Sequence, residues 1–265
     1  MLSDKPQNVV ARQSHSILNI ENSVFLRIRG LAFLLLVGLV IAATGCQRVA
    51  QGSEDPAPSQ QSAVQDFVRQ TYIHGLPYAE AQSFTSSDID ILASMLENPV
   101  ETAAWPNIVG TLGAIGDDEA FSPLIGFFIT GSGVLTPSNY AAKTSVPMAL
   151  GYLLNQTDTD SVYTQIIFNY LNSGLDPEVW SALGISWTSP FGLTSEEERD
   201  QLVVVSVMGL ALSGTAQANS ALREFQFSDL AQQQPFASLL SEAIEANNTI
   251  AEIGLVQYYQ QSDFN

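Results

Sequence analysis

Ile108-Val109-Gly110-Thr111-Leu112-Gly113-Ala114-Ile115-Gly116-Asp117, followed closely by Ala120-Phe121-Ser122-Pro123-Leu124-Ile125, reads as two apolar helices joined by a tight polar turn. Gly116 stands where a helix ends, and Asp117 where the next helix needs an oxygen for its free amides. Two later stretches obey the same grammar. Val146-Pro147-Met148-Ala149-Leu150-Gly151-Tyr152-Leu153 leads into Val162-Tyr163-Thr164-Gln165-Ile166-Ile167. Val205-Ser206-Val207-Met208-Gly209-Leu210-Ala211-Leu212-Ser213-Gly214 leads into Ala218-Asn219-Ser220-Ala221-Leu222. Each is an apolar helix with a Leu-Gly or Met-Gly step, a polar turn, and a second helix with paired aliphatics. One such pair cannot bury its apolar stripe alone, whereas stacked neighbours complete a continuous core.

Outward from these, Val64, Phe67, Val68 and Ile73 share one helical face. Ser87-Asp88-Ile89-Asp90 opens a helix carrying Leu92 and Leu96 that stops near Asn98-Pro99. Further helices are predicted over Val100–Ile115, Asp118–Thr130, Thr136–Gln156, Asp160–Ser173, Ser195–Ser213 and Gln217–Phe225. The last two run over Pro235–Asn247 and Thr249–Gln260. Ser195-Glu196-Glu197-Glu198 reads as a capping box. Pro106, Pro123 and Pro147 fall within helical patterns and should kink or restart them. Gly131-Ser132-Gly133 reads as a hinge between helices, and no segment alternates as a strand would.

Residues 99–226 resemble HEAT-like repeats, particularly the short bacterial kind found in phycobilin-lyase relatives. The insertion near 174–194 makes the spacing of Gly113, Gly151 and Gly209 uneven. The resemblance implies an all-α fold over 63–265, an irregular HEAT-like α-solenoid of stacked antiparallel helix pairs. It also implies a large surface for holding other proteins, hence a non-catalytic interaction scaffold. An enzyme related to the HEAT-type bilin lyases and a purely structural envelope lipoprotein are the rival expectations.

The N-terminal region carries an address. Arg27-Ile28-Arg29, the apolar run Leu31–Ala43 and the small residues Ala43-Thr44-Gly45 precede Cys46, the only cysteine. This arrangement resembles the signal peptide of a bacterial lipoprotein, which implies cleavage after residue 45 and lipidation of Cys46. Gln47, where retained lipoproteins carry Asp, implies the outer membrane, facing the periplasm. An uncleaved membrane-spanning helix, which needs about 20 apolar residues, is the alternative. Residues 1–23 are long and polar for a signal flank, so translation from a later start, near Val24, is a further expectation. Residues 46–62, rich in Gln, Ser, Pro and acids, read as a flexible tether.

The chain carries a formal net charge of −18. Removing residues 1–45 deletes four cations but only two acids, Asp4 and Glu21, and leaves a more negative body. Such a field repels phosphate backbones and argues against nucleic-acid binding. It suits solubility, and it draws basic partners.

Individual sites are sparse. His74 reads as a helix-end residue, and no nucleophile motif accompanies it as a base. Asp117-Asp118-Glu119 and Asp158-Thr159-Asp160 offer oxygens suited to calcium, yet lack a calcium loop's glycine and final glutamate, and read as helix caps. Glu196-Glu197-Glu198 suits a solvated first helical turn. Trp180, Trp187 and Phe191 in the insertion are the candidate partner-binding residues, set against an ordinary role in covering the core. No catalytic residue, metal site or cofactor is expected. The expected partners are an envelope protein and, through Cys46, the membrane.

Overall fold

The structure is a computed structural model that describes residues 60–72, 75–233 and 236–262. Cys46, the apolar leader, the 46–62 tether up to residue 59, and His74 lie outside them. The helices described below all belong to one contact unit.

The fold is helix-rich. In chain order the helices are α1 (Gln60–Val68), α2 (Tyr78–Ala81), α3 (Ile89–Glu97), α4 (Trp105–Ile115) and α5 (Phe121–Ile129). They continue as α6 (Pro137–Thr144), α7 (Val146–Gln156), α8 (Val162–Ser173), α9 (Pro177–Ala182) and α10 (Ser195–Ser213). The last are α11 (Ala216–Phe225), α12 (Phe236–Ile253) and α13 (Leu255–Ser262). No helix among the described residues is long and apolar enough to cross a membrane.

Local chemistry sets the ends. Gly116 adopts a positive φ of 77° after α4, as a left-handed cap requires. Asp117 accepts from the Glu119 amide and caps a 3-10 turn, Asp118–Ala120, ahead of α5. Pro106 and Pro147 lie in the first turns of α4 and α7, where a missing N–H costs nothing. Pro147 thereby divides the predicted Thr136–Gln156 helix at Ser145.

The main packing runs from α4 to α7, from α7 to α10, and from α10 to α12. The Leu-Gly and Met-Gly steps make these approaches close. A Cβ on Gly113 would collide with the Ala149 backbone, one on Gly151 with Gly209, and one on Gly209 with the Pro147 carbonyl. Three glycines chosen by the repeat grammar therefore lie at backbone-to-backbone contacts. Helix α8 packs on α7 and α10, and α11 on α10 and α12.

Several expectations are corrected. The capping box of α10 starts one residue early, with Thr194 as cap and Glu197 as its reciprocal partner. Asn247 does not end a helix. It lies buried within α12, and its amide nitrogen donates to the Leu210 and Ala211 carbonyls (3.0 and 3.3 Å) at the end of α10. The break falls instead at Gly254, with a φ of 79°. Ser132–Val134 and Ser186–Thr188 form a short parallel pair, β1 and β2, so the hinge glycine Gly133 sits opposite Trp187. Three-residue strands are too short to show alternation.

Helix α13 returns to the start of the body. The Tyr259 ring lies 5.6 Å from Tyr78 and 6.1 Å from Tyr152, and those two are 5.0 Å apart. The Tyr152 and Tyr259 hydroxyls hydrogen-bond each other, and Gln156 donates to the Tyr78 hydroxyl at 3.2 Å. Burial raises the pKa of all three phenols.

Candidate interaction site

The insertion predicted to carry a partner anchor folds onto the core. Asp176 accepts from the Glu178 amide and starts α9, which lays Trp180 against Phe128 at 5.7 Å between ring centroids. Strand β2 brings Trp187 to the other side of Phe128, at 5.6 Å. The Trp180 indole N–H donates to the Gly174 carbonyl (2.9 Å) and the Trp187 N–H to the Phe128 carbonyl (2.8 Å). The two residues are only 3% and 4% exposed. This corrects their role as partner-facing anchors. Their apolar faces and polar edges are both satisfied internally, so they build the core. Phe191 remains 47% exposed, its ring edge-on to Tyr140 at 5.8 Å.

The three residues nevertheless belong to one assembly. Tyr170, Trp180, Phe128, Trp187, Tyr140 and Phe191 form a continuous series of ring contacts. Phe191 stands at one end. At the other, Tyr170 and Trp180 line an open groove between α8 and α9 that holds about 300 Å³. Its remaining walls are mostly the side chains of Ile166, Val179 and Leu183. Ile166 and Leu183 are 41% and 40% exposed, an apolar surface open to solvent. The buried Tyr170 hydroxyl has no hydrogen-bond partner, and burial raises its pKa.

A sequence signal for this groove existed. Ile166-Ile167-Phe168 places three apolar residues in succession on a helix, and one face cannot take all three. Ile167 and Phe168 are buried, and Ile166 is left facing outward.

Charge on the two wall helices and the turns that open them is one-sided. Asp158 and Asp160 precede α8, Asp176 and Glu178 open α9, and neither helix carries Lys or Arg. Arg199 reaches α9 on its other side, pairing with Glu178 at 3.2 Å and donating to Ser181.

Beside the ring series lies Lys143, near the C-terminal end of α6. Its ammonium donates to the carbonyls of Phe127 and Thr130 at the end of α5 and sits 4.4 Å over the Phe127 ring. Burial lowers its pKa to about 8. The contacts make it a cap for the negative end of a helix dipole. The acidic clusters likewise serve turns and caps. Asp158 accepts from the Asp160 amide, and Glu198 from the Ser189 amide. Among the described residues no group of three or more His, Cys, Asp or Glu side chains is placed to hold a metal ion.

No family model, curated protein or solved structure matches the chain.

Proposed function

We propose that this protein is a lipid-anchored, non-catalytic scaffold of the bacterial cell envelope, held at the outer membrane through Cys46 and facing the periplasm. Its helical body is an irregular HEAT-like α-solenoid that positions a partner protein. The observation that carries this reading is the open apolar groove between α8 and α9, lined by Tyr170 and Trp180 of the ring series. The glycine contacts between α4, α7 and α10 support the repeat reading, because successive units of one grammar pack on one another.

A photo-crosslinking amino acid placed at residue 183 in living cells tests the partner. The expected result is one dominant crosslinked envelope protein, and its absence overturns the scaffold reading. Metabolic labelling with radioactive palmitate tests the anchor. Label should enter the wild-type chain and be missing from Cys46→Ser; an unlabelled wild-type chain rules out lipidation.

A further inference from the structure

We propose that the α8–α9 groove takes a short apolar segment of the partner flanked by Lys or Arg. This deepens the scaffold reading and rests on it. The groove volume of about 300 Å³ suits one or two aliphatic or aromatic side chains rather than a whole helix. Those side chains would displace water from Ile166, Val179 and Leu183 and rest against Tyr170, with only the edge of Trp180 within reach.

The sign of the flanks follows from charge. Among the described residues the cations are Arg69, Lys143, Arg199 and Arg223. Arg69 is paired with Glu101, Arg199 with Glu178, Lys143 is buried, and Arg223 is bonded to Asn219. Asp176, between the wall residues Ser173 and Val179, meets no opposing cation on either wall helix, and the whole chain carries a formal net charge of −18. An acidic segment is repelled on approach and a basic one attracted, within a Debye length of about 8 Å at physiological salt.

The test is a selection of random dodecapeptides displayed on phage against the full-length chain, purified in detergent and immobilised. Enriched peptides should pair apolar residues with net positive charge and change Trp emission on binding, because Trp180 lines the groove. Remaking them with Glu for each Lys or Arg should weaken binding at least about tenfold, as should about 500 mM salt. Leu183→Lys should abolish binding, while Leu183→Met retains it and shows that the groove is intact. Peptides without a basic bias, binding that survives the charge swap or Leu183→Lys, or no enrichment at all would each overturn the proposal. So would a Leu183→Lys-sensitive self-association in sedimentation, or a Leu183→Lys-sensitive attachment to phosphatidylcholine vesicles, which assign the groove to a second copy or to lipid. A crosslinked partner at residue 183 whose contact segment is not basic sinks this proposal and leaves the scaffold standing. No crosslinked protein sinks both.

Discussion

At the scale of single residues, Lys143 and Asn247 perform one task by different means: each gives N–H groups to carbonyls at the end of a helix. Lys143 does so as a charge in an apolar surrounding. Its folded-state pKa of about 8 lies below the ordinary lysine value, so between roughly pH 8 and 10.4 the unfolded chain binds more protons. Stability attributable to this residue therefore rises with pH across that window and is flat below it. The buried tyrosines, with raised pKa values, act in the opposite sense above about pH 10. The difference between wild type and Lys143→Met isolates the lysine. Urea titrations at pH 7 and pH 9.5 should show the wild type gaining about 1–2 kcal/mol relative to the variant. Asn247→Ala should cost about 1–3 kcal/mol at any pH, because it removes two buried hydrogen bonds between α12 and α10 and empties the space the amide filled. Nothing in the local sequence distinguished this asparagine from a turn residue. Its partners lie on α10 and α11, and only packing reveals them.

At the scale of elements, the glycines of α4, α7 and α10 decide how closely helices approach. Gly113→Ala, Gly151→Ala and Gly209→Ala each force a methyl group into a neighbouring backbone and should destabilise by about 1–3 kcal/mol or more. Gly126→Ala, in α5 with open space at its Cβ, should instead stabilise by about 0.5–1 kcal/mol. Chemical denaturation of the four variants reads both directions. These helices were legible because a repeated Leu-Gly or Met-Gly step carries its own reason. The turns were partly legible. Gly116 and Asp117 announced theirs, whereas Thr194 was passed over because Ser195 satisfies the same pattern one residue later. The β1–β2 pair was illegible, since its partners are far apart in sequence and each is three residues long. The groove was half legible. The insertion's aromatics drew attention to the right region, but the indoles turned inward and the solvent-facing walls fell to Ile166 and Leu183.

At the scale of the whole body, the repeats of an open solenoid touch only their neighbours, and such arrays unfold in pieces. The tyrosine contacts break that rule. Tyr259 packs on Tyr78, so the last helix shares a core with one of the first. Unfolding should be a single transition, and native-state hydrogen exchange should place α2, α7 and α13 in the same cooperative unit. Tyr259→Ala should lower stability by about 1–3 kcal/mol and loosen α2, far away in the chain, as much as α13. Exchange slowed in α7 but already fast in α2 of the wild type would refute this. The closure also bears on the order of events during manufacture. A ribosome makes this chain from its N-terminal end, yet the surface around Tyr78 has to wait for α13 before it is covered. Any chain stopped before α13 therefore displays an uncovered tyrosine face for chaperones or proteases to find.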